Sequence, residues 1–233
     1  MALTDHGAAG GNAVAATLNI GTVAAGTVIY AFVAGSGTGA YAYNAGTGVP
    51  ASPPTGGGLT WTKRGSTPIK NNGINFVCLS LYTAVGNGGS VTVDTGSPLN
   101  ATATAEWAYL NVWTDTAAAQ NFTNVAIDDD TAGDPNIAIS TPAANSKVIA
   151  AGLFRLDKTH TARTGYTNST VVEPQTDYTV VSQYSTGNPP ATPAGWTSAN
   201  NACVGIAIEI FPVVPASLLP PSIPPAVMHM LVR

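Results

Sequence analysis

Alternation of apolar and polar residues with a period of two dominates the strand-like segments of the chain, and this pattern constrains the fold most strongly. In Asn12–Ile20 every second residue from Val14 onward is apolar, whereas Thr27–Ala34 is almost continuously apolar and rich in β-branched residues. The first pattern is typical of a strand that is covered on one face, and the second of a strand that is covered on both. Because helical spacing is nearly absent, we expect an all-β protein.

Eight further segments carry strand signals and are separated by clusters of Gly, Pro, Asn and Ser. They are Leu59–Arg64, Asn75–Thr83, Ser90–Asp94, Ala105–Thr114, Asn136–Ser140, Lys147–Phe154, Tyr178–Tyr184 and Cys203–Phe211. The Gly-Asn-Gly-Gly turn at 86–89 predicts that Ser90–Asp94 returns as a hairpin arm beside Asn75–Thr83. Two sheets must bury their apolar faces against each other, so the sequence predicts an antiparallel β-sandwich of jelly-roll type.

The last predicted strand separates its residues into two faces. One face is entirely branched aliphatic and is predicted to lie in the core; it carries Val204, Ile206, Ile208 and Ile210. The opposite face is mixed, with Cys203, Ala207 and Glu209 among its residues, and is predicted to be partly exposed or in contact with another subunit.

The chain divides by composition into three parts. Residues 1–11 form a lead-in of small residues, residues 12–211 form the sandwich, and residues 212–233 form an extended arm with six prolines. Proline lacks a backbone donor and favours the polyproline II conformation, so this arm cannot continue a sheet. Its apolar residues predict that it lies on another surface during assembly; they include Val213, Val214, Leu218, Leu219, Ile223 and Met228.

Charged residues make up only 9% of the chain, and the net charge is −4 without any basic run. This charge excludes a typical nucleic-acid-binding surface. No apolar run approaches the roughly 18 residues of a membrane-spanning helix, so no membrane partner is expected. Small neutral polar side chains suit surfaces that are covered by identical copies, or surfaces that must stay inert outside a cell. Both describe an assembly protein, and we expect a trimer or another small homo-oligomer.

The sequence lacks the common catalytic motifs G-x-S-x-G, H-E-x-x-H and C-x-x-C, so we expect neither an enzyme nor a bound cofactor. Asp128, Asp129, Asp130 and Asp134 form the acidic cluster. Asp128, Asp130 and Asp134 are a weak calcium candidate, although a solvated turn also accounts for them. Cys78 and Cys203 each lie in a predicted strand, where a free thiol acts as a small apolar filler. A disulfide bond between them is the alternative.

An aromatic row lies on one face of the predicted strand Ala105–Thr114. Trp107, Tyr109, Asn111 and Trp113 occupy every second position, so the three rings point to the same side. Three interpretations fit this row: a face of the core, a subunit interface, or a flat platform on which sugar rings stack.

Five stretches resemble the β-rich structural proteins of tailed bacteriophages, over about residues 55–211. They are Gly58–Gly65 (GLTWTKRG), Phe76–Ala84, Gly88–Val93, Pro193–Trp196 and Ala202–Ile210. The resemblance implies a virion protein, either a capsid-decorating or head-fibre subunit or a tail component, with other virion proteins as its partners. The alternative is a carbohydrate-binding module or tail adhesin that recognises glycans on the host surface through the aromatic row.

Overall fold

The computed structural model describes residues 3–11, 15–38, 53–67, 69–71, 75–96, 104–118, 120–128, 135–139, 142–155, 160–175, 178–187, 193–197 and 203–213. Within these ranges the regular elements are sixteen strands, which confirms the predicted all-β class. The first eight are β1 (Leu3–Gly11), β2 (Thr17–Thr22), β3 (Val28–Thr38), β4 (Thr62–Arg64), β5 (Ile69–Asn71), β6 (Asn75–Val85), β7 (Ser90–Asp94) and β8 (Thr104–Asp115). The others are β9 (Val125–Asp128), β10 (Asn136–Ile137), β11 (Lys147–Arg155), β12 (Thr161–Ala162), β13 (Tyr166–Gln175), β14 (Tyr178–Ser185), β15 (Ala194–Thr197) and β16 (Cys203–Ile210).

Two large sheets form the centre of the molecule, and all strand pairs are antiparallel. The first sheet has the order β1-β8-β3-β6-β4, with β5 also on β6, and the second has the order β13-β14-β11-β16-β9. Their facing sides share one buried cluster, to which Phe32, Leu79 and Trp107 contribute from the first sheet and Leu153 and Ile206 from the second. The predicted antiparallel β-sandwich is therefore confirmed.

Two small sheets cover the outer faces of this sandwich. The pair β2-β7 lies on the first large sheet, where Val91 and Val93 pack with Ile29 in a second buried cluster. The sheet β10-β15-β12 lies on the second, where Ile137 and Trp196 belong to a third cluster. The inner strands are thus covered on both faces, which is why β3 is apolar at every position from Val28 to Ala34.

The two halves of the chain have the same strand order. In the first half the central order is β1-β8-β3-β6, and in the second it is β9-β16-β11-β14, so the first, eighth, third and sixth strands of each half are neighbours. The second and seventh strands of each half pair in the outer layer, as β2-β7 and β10-β15. An edge strand next to the sixth completes each large sheet, β4 in one half and β13 in the other. The molecule is therefore two similar units, packed face to face.

Local details repeat between the two units. The turn before β3 closes with a backbone hydrogen bond of 3.1 Å, and the turn before β11 closes with an equivalent bond of 3.1 Å. Each turn contains a residue with positive φ, 84° in the first and 63° in the second; the second is asparagine, which tolerates this region better than most residues. The equivalent residues are Ala24 and Ala143, Gly26 and Asn145, and Thr27 and Ser146.

The direction of the side chains repeats as well. Tyr30 on β3 is opposite Trp113 on β8, and Ile149 on β11 is opposite Ile208 on β16; all four point into the central cluster. An equivalent pair of aromatic rings fills the outer layers, where Trp61 is buried in the first unit and Tyr166 in the second.

Three local expectations are wrong. β7 does not return beside β6 but pairs with β2, because Val91 and Val93 cover the outer face of the first sheet. The residues expected as a lead-in form β1, which pairs with β8 as an edge strand of the sandwich. The mixed face of β16 is not partly exposed: Cys203, Ala207 and Glu209 are buried, because the small sheet β10-β15-β12 lies over that side. The aliphatic face of β16 does lie in the central core, as predicted.

Candidate functional site

The aromatic row of β8 lies at the interface between the two units. Trp107, Tyr109 and Trp113 are all buried in the central cluster. The ring of Trp107 lies 5.3 Å from that of Tyr178, and the ring of Trp113 lies 5.8 Å from that of Tyr184. The core interpretation of this row is therefore the one that the structure shows. The sugar-platform interpretation does not fit these three residues, because their side chains are at most 2% exposed and so offer no flat surface for a sugar ring.

A buried amide orders the polar side of this row. Asn111 donates from Nδ2 to Asp5 Oδ1 and to the carbonyl oxygen of Gly7, both at 2.9 Å, and its Oδ1 accepts a 2.5 Å hydrogen bond from Trp113 Nε1. A buried amide without such partners would cost about 1–3 kcal/mol. These bonds hold β1 against β8.

Asp5 connects the two units. Its Oδ1 accepts from the backbone NH of Gly7, and its Oδ2 accepts hydroxyl hydrogen bonds from Ser169 and Thr170 on β13. The carboxylate of the first unit is thus held by the edge strand of the second. Hydrogen bonds to a charged acceptor are the stronger kind, so this contact helps to set the orientation of the units.

Glu209 is a second engaged carboxylate, buried on β16. Its Oε1 accepts from the backbone NH of Ala143 at 2.6 Å, and its Oε2 accepts from Nδ2 of Asn124. Both partners lie outside the strands, so Glu209 fixes the segments before β9 and before β11. This bonding assigns the carboxylate a structural role.

The structure describes one of the three residues of the weak calcium candidate, Asp128. Asp128 lies at the end of β9, and its Oδ2 accepts a 2.6 Å hydrogen bond from the backbone NH of Asn136. Asp130 and Asp134 lie outside the described residues. Among the described residues, no group of three His, Cys, Asp or Glu side chains could hold a metal ion.

The beginning of the C-terminal arm is anchored on the segment that connects the two units. Pro212 forms an isolated β-bridge with Ala118, and the backbone NH of Val213 donates to the carbonyl oxygen of Ala117 at 3.1 Å. The side chain of Val213 is 55% exposed. The other residues that we predict for assembly lie outside the described residues; they are Val214, Leu218, Leu219, Ile223 and Met228.

An open groove of about 400 Å³ lies between the far edge of the first sheet and the segment before β9. The guanidinium of Arg64 lies 4.0 Å from the ring centroid of Phe122, and Arg64 Nε donates to Thr83 Oγ1 at 2.7 Å. Phe122 also meets Tyr30 of the core edge to face. Leu59 and Val85 complete the apolar part of the lining. We call this the Phe122 groove.

A smaller hollow of about 270 Å³ lies at the opposite edge of the sandwich. Asp5, Trp113, Ser169 and Tyr184 line it. Each hollow lies where the start of one unit meets the edge strand of the other, so the two hollows occupy equivalent places in the repeated architecture.

Sequence reasoning missed the residues that shape these two hollows. Asp5 lies in the stretch of small residues that predicts a lead-in, and Phe122 is a single aromatic residue in the polar stretch Gln120–Asn124. A lone ring among polar residues is the signal that could have identified the groove.

The described cysteines are free thiols, buried in their strands, as predicted for small apolar fillers. Burial raises the pKa of Cys78 to about 12. We expect both thiols to react with an alkylating reagent roughly a hundredfold more slowly in the native protein than in denaturant, because the thiolate is the reactive form. Mass spectrometry after denaturation without reductant should show two adducts. An unmodified pair that reacts only after reduction would instead establish a disulfide.

Comparison with models of protein families, with curated proteins and with solved structures gives no match. In the part of the chain that the structure describes, no helix has the length and apolar character needed to cross a membrane.

Proposed function

We propose that this chain is a non-enzymatic structural protein of a virus particle, most specifically a capsid-decorating or head-fibre subunit of a tailed bacteriophage. The repeated strand order is the observation that carries the proposal. In each unit the first, eighth, third and sixth strands form one layer and the second and seventh form the facing layer. This is the pairing order of a jelly roll, an architecture common in viral capsid and lectin domains. The jelly-roll assignment is accordingly part of the proposal.

A largely uncharged edge strand supports a role in assembly. β13 is an edge strand of ten residues, and its exposed side chains include Thr167, Ser169 and Val171, the last 50% exposed. An edge strand presents unpaired backbone groups to any neighbouring chain, and proteins limit such pairing with charge, proline and bulges. β13 carries one exposed charge, Glu173, which is followed by Pro174 near the end of the strand, so the stretch from Thr167 to Val171 is its uncharged part. A surface with so little charge is easily covered by further copies of the chain and by other virion proteins.

The glycan-binding alternative depended on the aromatic row of β8. Because Trp107, Tyr109 and Trp113 are buried between the two units, that row supplies no binding surface. We therefore propose no glycan site.

Removal of the arm tests the proposal. The chain should be ended after Val213, because Pro212 and Val213 are held by Ala117 and Ala118 and belong to the folded part. We expect the shortened chain to remain folded and to unfold in a single transition, since it loses no described core residue. We expect it to lose incorporation into particles and self-association in analytical ultracentrifugation.

A second variant separates the apolar side chains of the arm from its length. Replacing Ile223 and Met228 by serine leaves the length of the arm and every proline in place and should cause the same loss. Normal incorporation of the shortened chain would contradict the role of the arm.

A further inference from the structure

We propose that the C-terminal arm docks in the Phe122 groove of its own molecule, with Leu218–Pro221 as the segment that enters it. This docking is independent of which particle, if any, the protein joins. The groove lies between the edge of the first unit and the segment that leads into the second unit, and the arm leaves from the end of the second unit, so the docked arm would connect the two units at this edge.

The beginning of the arm and the groove lie at the same end of the first sheet. Val28 pairs with Val85 of the groove on one side and with Asp115 on the other. Neighbouring strands are about 4.8 Å apart, so Asp115 lies roughly 10 Å from Val85 across the sheet. Ala117, which accepts the hydrogen bond from Val213, comes two residues after Asp115.

The length of the arm fits this distance. A polyproline II segment rises about 3.1 Å per residue, so Leu218 and Leu219 can lie roughly 15–19 Å from Val213. This length exceeds the roughly 10 Å, or two strand spacings, that separate Asp115 from Val85 of the groove. Pro220 and Pro221 follow directly, where a rigid apolar segment can lie along the ring of Phe122.

The chemistry of the groove suits such a segment. Proline-rich segments dock in grooves lined by aromatic rings, and their pre-formed conformation keeps the entropic cost of ordering low. Phe122 and Leu59 supply apolar contact, and the Arg64 guanidinium is held in place by Phe122 and Thr83. A guanidinium carries five N–H donors, and polyproline II carbonyl groups have no internal partners, so Arg64 can donate to the arm. The arm itself carries no charged side chain before Arg233.

Disulfide trapping in the full chain tests the docking. The variant Leu59→Cys/Leu219→Cys places one thiol in the groove and one on the arm, while the native cysteines stay buried. Under mild oxidation we expect a bond within one molecule, seen as a monomer on a non-reducing gel and as a cross-linked peptide pair after digestion. The matched control is Val171→Cys/Leu219→Cys, because Val171 is exposed on β13 at the opposite edge of the sandwich. The groove pair should form its bond at least tenfold faster than the control, and adding Phe122→Ala should remove most of this difference.

A second measurement needs no cysteine variant. Hydrogen exchange should be faster around residues 58–64 and 120–124 in the chain that ends at Val213 than in the full chain, and unchanged in β13. Any of three results would overturn the proposal. The groove pair and the control pair could be trapped at equal rates, the bond could form only between two molecules, or hydrogen exchange could be equal with and without the arm. Loss of particle incorporation is measured separately, so failure of this docking is distinct from failure of the proposed function.

Discussion

Replacing Gly195 by alanine is expected to lower the free energy of unfolding by about 3–5 kcal/mol. Gly195 lies on β15 with φ of +146°, a region that residues with a side chain rarely adopt. A Cβ atom at this position would lie 1.9 Å from the carbonyl oxygen of Pro135, which immediately precedes β10. Because that oxygen belongs to the backbone, the outer sheet can accept the methyl group only if β10 moves away from β15.

A matched control separates this clash from backbone strain alone. Gly58 also has a positive φ, +63°, but a Cβ atom there meets nothing within 4 Å. Gly58→Ala should therefore cost only about 1 kcal/mol, the strain of the left-handed region. Denaturant unfolding followed by tryptophan fluorescence measures the free energy of unfolding of both variants. In thermal unfolding, Gly195→Ala should lower the melting temperature by about 10 °C. Equal losses for the two variants would show that the contact with Pro135 does not limit the fold.

The central strands could be predicted because the order of apolar and polar residues along each strand follows which side chains are buried. The aliphatic residues of β16 lie in the core as expected, and β7 begins and ends at the predicted residues. The continuous apolar run of β3 predicted cover on both faces, and Ile29 and Tyr30 do belong to two different buried clusters. Alternation of apolar and polar residues indicates which side chains are buried, and in a sandwich this depends mainly on the face of the sheet to which a side chain points.

Pairing partners and the repeated architecture could not be predicted in the same way. The turn at 86–89 indicated a hairpin, but a tight turn determines only a local reversal, and the partner of β7 is set by which apolar face it covers. β1 was missed because Gly and Ala carry little strand signal, although Asp5 and Asn111 hold it firmly. The two units share few residues at equivalent positions beyond the turns before β3 and β11, and the segment between the third and sixth strands is longer in the first unit. The repeat is therefore visible in the strand order rather than in the sequence.

The mixed face of β16 shows why a single strand cannot reveal its own covering layer. Glu209 on this face suggested exposure, yet its carboxylate is buried and bonded to Ala143 and Asn124. Charged residues are almost never fully buried unless they are paired in this way, so the exposed interpretation was the expected one. The layer that covers it consists of strands as short as two residues, which carry almost no periodic signal.

Truncation of Trp107 should have the largest effect on the interface between the two units. The Trp107 side chain is fully buried and packs on Tyr178 of the second unit. Trp107→Ala is expected to cost about 3–5 kcal/mol, because it removes this contact and leaves a cavity between two sheets that cannot close independently. Chemical denaturation should show one transition at a lower midpoint, since the two units share one core.

Two control variants determine what this loss means. Trp107 Nε1 is buried and makes no hydrogen bond. Trp107→Phe therefore loses buried ring area but also removes an unsatisfied donor. Its loss of unfolding free energy should be less than half of that caused by Trp107→Ala. Val171→Ala, at a half-exposed position, should change stability by less than about 0.5 kcal/mol. If Trp107→Ala left the unfolding midpoint unchanged and instead abolished binding to a polysaccharide, the row would be a surface platform after all. A destabilised protein with no such binding would place Trp107 where the two units meet, as the structural element that holds the sandwich together.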